Sequence, residues 1–130
     1  MKFYDDKHEQ FYEENILRCI HDDTYHRALV YLLGLTEDTR NHIESIFDFR
    51  ADCVKHECLR SAWITSSNAR IIRFAFNLYN CGAPSCWNLE GEDKFSEAKE
   101  YFPTSFFHCD FAPYYWEALK IRYPHTCYEL

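Results

Sequence analysis

The sequence predicts an all-α fold, a compact bundle of six or seven helices around a buried central helix at about residues 66–81. Three observations carry that reading. Ser66 to Gly82 is apolar almost all round at helical period, through Ala69, Ile71, Ile72, Phe74, Ala75, Phe76, Leu78 and Tyr79, and a helix apolar on most sides is one packed by several neighbours. Only 3 Gly and 4 Pro occur in 130 residues, too few for a turn-rich sandwich or barrel. Capping residues stand before each apolar periodic run, where helices begin.

The central stretch carries one polar stripe. Ser66, Arg70, Arg73, Asn77 and Asn80 step by four, three, four and three, which places them along one line of the cylinder. Ser66 or Ser67 suits its N-cap, and Gly82 suits a left-handed residue that ends it.

In chain order, Asp5 or Asp6 opens a first helix, with Glu9 placed for a capping-box start and Tyr12, Ile16, Cys19 and Ile20 as its apolar face. Asp22-Asp23-Thr24 caps a second, whose stripe is Ala28, Leu29, Leu32 and Leu33 and which Gly34 ends. Thr36 caps a third, with Glu37 and Asp38 in the first turn, where the helix dipole favours negative charge, and with Ile43, Ile46 and Phe47 buried. After the connection Phe49-Arg50-Ala51, Asp52 starts a fourth, burying Val54, Cys58, Leu59, Ala62 and Trp63. The pattern breaks from Cys81 to Tyr101, with turn chemistry at Cys81–Cys86, an acidic run at Glu90–Lys94 and a short helix over Phe95 to Tyr101. A helical turn follows Pro103, and a last helix runs from Pro113, well suited to a first helical position, to Pro124, which stops it. No repeat or linker divides the chain, so residues 1–130 read as a single all-helical domain.

Charge narrows the function classes. The 21 acidic and 14 basic residues give a net charge of −7, a field that repels a phosphate backbone and disfavours direct nucleic-acid binding. No apolar run is long enough to cross a bilayer. Met1 to Asp6 turns acidic where a signal peptide needs its apolar core, so a cytoplasmic protein with free thiols is expected. Seven cysteines and several histidines invite a zinc reading, but Cys53-x2-His56 is half of a structural zinc arrangement and Cys81-x4-Cys86 is loose. No cofactor, metal or catalytic residue is therefore assigned, and neither a nucleophile elbow nor a phosphate-binding loop is present, so no enzyme activity is expected.

Two constellations remain open. The stripe of Arg70, Arg73, Asn77 and Asn80 either fixes helix packing, with Glu117 or Asp110 as counter-charge, or forms with Arg40 and His42 a pocket for an anion or nucleotide. His26 and Arg27 are further candidates for the same pocket. Adjacent rings in Tyr114-Tyr115-Trp116 cannot all turn inward on one helix, so Tyr114, Tyr115 and Arg122 form a candidate protein-binding face, residue types enriched in binding hot spots. Glu9, Glu13, Glu90, Glu92 and Asp93 supply an acidic surface for a basic partner.

Three runs also resemble a family: Tyr31-x-x-Gly34 with Thr39-Arg40-x-His42; Ser61-Ala62-Trp63 leading to Arg73-x-Ala75-Phe76-Asn77-Leu78-Tyr79-Asn80; and Ala112-Pro113-Tyr114-Tyr115-Trp116-Glu117-Ala118-Leu119-Lys120-Ile121-Arg122-Tyr123. Together they are similar to a family of short, functionally uncharacterised proteins from anaerobic bacteria, their phages and mobile elements. That resemblance implies no catalytic residues, and its context implies an anti-defence, anti-CRISPR-like role. The expectation is then a small acidic protein-binding inhibitor in the cytoplasm of a bacterial host. It would block a basic nucleic-acid-binding site on a bacterial defence effector, and a homodimer is left open. The alternative is a small-ligand module using the Arg stripe.

Overall fold

The computed structural model describes residues 1–82 and 99–127. These are mostly helical: α1 (Asp6–Ile16), α2 (Thr24–Leu33), α3 (Glu37–Asn41), α4 (Ile43–Ile46), α5 (Ser66–Asn80), α6 (Pro103–Phe106), α7 (Ala112–Arg122) and α8 (Pro124–Cys127). Two 3₁₀ turns, His56–Arg60 and Lys99–Tyr101, and a two-stranded antiparallel sheet, β1 (Phe47–Asp48) with β2 (Cys53–Val54), complete the described elements. The Glu90–Lys94 run and most of the helix expected over Phe95 to Tyr101 lie outside the described residues.

The caps follow side-chain chemistry. Asp5, Asp23, Thr36 and Thr65 each accept a hydrogen bond from the backbone N–H three residues on, which satisfies donors the first turn leaves free. For α5 the cap is thus Thr65 rather than Ser66 or Ser67. Its left-handed terminus is Cys81, at φ 58°, rather than Gly82, whose carbonyl accepts from Asn77 Nδ2 at 2.6 Å.

The most enclosed helix is α2. Ala28 to Leu33 are all at most 1% exposed, and α2 packs against α1, α5 and α7 at once. Helix α5 shares the core through Ile71, Ile72, Phe74, Ala75, Phe76 and Leu78, while Arg70, Arg73 and Asn77 are half-buried along its side. The reading of α5 as the centre is corrected accordingly: its stripe holds one flank near solvent, whereas the polar residues of α2 are confined to its first turn.

Helix α1 turns its expected apolar face inward, with Tyr12, Ile16 and Cys19 half-buried against the core, and buries polar residues beside it. His8, Phe11 and Asn15 point inward, and Ile20 lies beyond the helix end and is exposed. Both polar groups are matched internally: His8 Nε2 donates to the Tyr31 carbonyl at 2.6 Å, its Nδ1 accepts from the Tyr4 N–H at 3.0 Å, and Asn15 Nδ2 donates to the Phe11 carbonyl at 2.9 Å. Gly34, after α2, is where the His8 and Phe11 rings cross the backbone; a Cβ there would meet them at 2.7 and 2.8 Å.

The expected fourth helix from Asp52 is replaced by a hairpin and a 3₁₀ turn. Phe47 pairs with Val54 and Asp48 with Cys53, and the Asp48 carboxylate closes the loop by accepting from the N–H groups of Arg50 (3.0 Å) and Ala51 (2.9 Å). Asp52 itself takes a left-handed φ of 58°, incompatible with a helix start. The third expected helix breaks at His42 into α3 and α4.

Candidate functional site

The N-terminal arm is the element that assembles a surface. Phe3 packs inward on His8, Tyr12 and Tyr31, and the Tyr31 hydroxyl donates to the Lys2 carbonyl at 2.5 Å. This anchorage sets the exposed Tyr4 ring 5.4 Å from Tyr114 and 5.9 Å from Phe111, at the start of α7, while Lys2 Nζ lies 5.4 Å over Tyr114. Glu9 and Glu13, one turn apart on α1, are both exposed, with Asp5 and Asp6 before them. The Tyr4–Tyr114 pair thus lies just before α1, which carries the exposed Glu9 and Glu13. Sequence reasoning named Tyr114, Glu9 and Glu13 as candidates but not Tyr4, whose ring partner lies 110 residues away in the chain.

Other expected site residues are placed differently. Tyr115 is fully buried, with Phe74 at 5.2 Å and Phe106 at 6.2 Å, so the adjacent-ring argument assigned one ring too many to the surface. Arg122 is 8% exposed. Its Nε donates to the Leu78 carbonyl at 2.9 Å, and its guanidinium lies between the Tyr25 and Tyr123 rings, 3.6 and 4.6 Å from their centroids. It closes the C-terminal end of α5 from within, leaving little for a partner. Glu90, Glu92 and Asp93 lie outside the described residues.

The arginine stripe does not gather into one pocket with Arg40 and His42. Arg73 faces Glu100 at 3.9 Å, while Glu117, its expected counter-charge, pairs with Lys120 at 2.9 Å. Asn77 lines a half-open cavity of about 240 Å³ with Phe74, Leu78, Tyr101, Phe106 and Tyr123. Asn80 is exposed. His42 stacks flat on Trp63 at 4.1 Å. Arg40 instead lines a separate cleft of about 510 Å³ with Lys7 and Arg18.

A polar cluster that the sequence reading did not assemble lies between α2, the hairpin and α5. His26, 3% exposed, places Nδ1 2.7 Å from Asp23 Oδ1 and Nε2 2.6 Å from Asp52 Oδ1. The Tyr79 hydroxyl donates to the same Asp52 oxygen at 2.9 Å. Burial works to lower the His26 pKa, but the hydrogen bonds to Asp52 and Asp23 outweigh it and hold the value above the usual 6.5. Nearby, burial and then the Asp52 and Asp23 charges push the Cys19 thiol up to about 11, so it is no thiolate nucleophile at neutral pH. With both ring nitrogens engaged by carboxylates, His26 is suited to joining elements rather than to proton transfer. Among the described residues no group of three His, Cys, Asp or Glu is placed to hold a metal ion.

No helix of the described residues is long and apolar enough to cross a membrane. The arrangement defines a mostly helical protein. The chain belongs to a family of unknown function, DUF6075, whose model matches residues 1–130. No curated protein and no solved structure matches it.

Proposed function

We propose that this protein is a small acidic protein-binding inhibitor, acting in the cytoplasm of a bacterial host. In its most concrete form it is a phage or mobile-element anti-defence protein, anti-CRISPR-like, that occupies a basic nucleic-acid-binding site on a defence effector. The observation that supports this reading is the Tyr4–Tyr114 pair, 5.4 Å apart at the foot of an exposed acidic helix. Rings of this type anchor contacts, and a carboxylate row stands in for phosphates in a basic channel. The rival reading, an anion held over Arg70 and Arg73, loses Arg40 to the separate cleft and His42 to its stack on Trp63.

The test is affinity capture of the tagged full chain from hosts carrying nucleic-acid-guided effectors, beside Glu9→Lys/Glu13→Lys and Tyr114→Ala variants. Glu57→Lys, a charge reversal at an exposed position of the first 3₁₀ turn, serves as the control. The expected result is one stoichiometric basic effector, retained by wild type and the control and released at about 0.5 M salt, where surface charge is screened. Both test variants should lose it. Equal recovery by all variants, or recovery of the protein alone, overturns the reading.

A further inference from the structure

The cleft between α1 and the α3–α4 segment is built as an anion site in a chain that is otherwise acidic. Its lining carries three cations, Lys7, Arg18 and Arg40, against one carboxylate, Glu14, which Gln10 Nε2 holds at 3.0 Å. The floor is Phe11 and Ile43, both buried.

Two of the cations are preset. Arg18 Nη1 donates at 3.0 Å to Oδ1 of Asn15, a residue only 7% exposed, while Nη2 pairs with Glu44 and the guanidinium lies 4.0 Å over the Phe49 ring. Arg40, in the cleft lining, donates from Nη1 to the Gly34 carbonyl at 2.8 Å, which fixes one side of its fork of donors. Lys7 has no hydrogen bond or ion pair among the described residues. The cleft is shallow and open, with a volume of about 510 Å³, so a ligand would be held chiefly by charge. Arg40, with only Nη1 engaged, keeps donors for a phosphoryl group, and Lys7 adds a point charge. Arg18, both of whose Nη groups are engaged, contributes through its charge beside Glu44.

We propose that this cleft binds a phosphorylated small molecule, its phosphoryl group held by Arg40, Arg18 and Lys7 and its body resting on Phe11 and Ile43. This is independent of the protein-binding face, which uses Tyr4, Tyr114, Glu9 and Glu13.

The probes are pyrophosphate and AMP, added to the full chain at low ionic strength, with sodium chloride matched in ionic strength as reference. Either probe should raise Tm by roughly 5–10 °C at a concentration a hundredfold above Kd. Lys7→Gln, at an exposed position with no hydrogen bond or ion pair among the described residues, should leave the ligand-free Tm unchanged and weaken the probe roughly tenfold. Amide NMR shifts on titration should map to Lys7, Arg18, Arg40 and Asn41. A Tm rise reproduced by sodium chloride, the same response in Lys7→Gln, or no response to either probe overturns the site.

Discussion

His26 and Asp52 join two parts of the chain that the backbone leaves apart: Nε2 on the first turn of α2 lies 2.6 Å from the carboxylate of a loop residue 26 positions later. Asp52 reaches it from a left-handed backbone, φ 58°, while Asp23 both caps α2 and contacts the other ring nitrogen. Because the folded His26 pKa lies above 6.5, its contribution to stability is full below the unfolded value and fades as pH rises through the folded one. The Asp23 pKa is lowered: burial opposes this, but hydrogen bonds from His26 prevail, so its contribution is lost as pH falls below about 3.8. Urea midpoints measured from pH 5 to 9 should decline above pH 6.5 in wild type and be flatter in His26→Gln. Asp52→Asn tolerates the left-handed backbone, so it isolates the charge. The expected cost is about 2 kcal/mol at pH 6, with the His26 titration seen by NMR moving downward. An unmoved titration would count against the pairing.

Gly34 is predicted to reject even a methyl group. A Cβ would stand 2.7 Å from His8 Cδ2 and 2.8 Å from Phe11 Cδ1, and the imidazole cannot swing away without breaking bonds at both nitrogens. Burial lowers the His8 pKa, which keeps the ring in the neutral form that accepts at Nδ1 and donates at Nε2. Gly34→Ala should cost roughly 1–3 kcal/mol in chemical denaturation, the usual cost of overpacking. A stabilised variant, as expected where glycine serves only as a flexible joint, would refute the packing argument.

Tyr115 makes the opposite case. Its ring is enclosed by Phe74, Phe106 and Phe107, yet its hydroxyl makes no hydrogen bond within ordinary geometry among the described residues. The nearby Cys109 thiol, which helps burial raise the phenol pKa, is a weak partner at best. An enclosed, poorly matched hydroxyl costs free energy. Tyr115→Phe should therefore leave stability within about 0.5 kcal/mol of wild type or raise it, while Tyr115→Ala should lose about 3–5 kcal/mol. Thermal unfolding of the two variants checks both.

These outcomes mark where the sequence is legible. Period located α2 and α5, whose apolar residues recur at helical spacing, and Asp23 marked the start of α2. The α5 cap, Thr65, stands one or two residues before the expected Ser66 or Ser67, and α7 was located by the prolines at its ends. The hairpin was hidden because each strand has two residues, too few for alternation to register, and its loop is closed by the Asp48 side chain. The inward side of α1 was legible through Tyr12, Ile16 and Cys19, but not His8 and Asn15, which are buried through hydrogen bonds to carbonyls that hydropathy cannot register. At the candidate face the charged and C-terminal members were legible by residue type. Tyr4 was not, since its place depends on how Phe3 and Tyr31 anchor the arm.

Arg122 provides the strongest separation between charge and shape. It is a cation buried at the C-terminal end of α5, where Nε meets the Leu78 carbonyl and Nη2 approaches the Cys81 sulfur at 3.5 Å. Position 81 is also the left-handed residue that ends the helix, so one side chain of α7 ties down a terminus that would otherwise leave carbonyls unmatched. The Tyr25 and Tyr123 rings on its faces require a flat group. Lysine keeps the charge but has neither the plane nor the fork of donors. Arg122→Lys should thus recover little of what Arg122→Met loses, with both near 2–4 kcal/mol in urea unfolding. Hydrogen exchange should quicken first at the last turn of α5. If lysine restored full stability, the guanidinium stack would be incidental and only the charge at the helix end would matter.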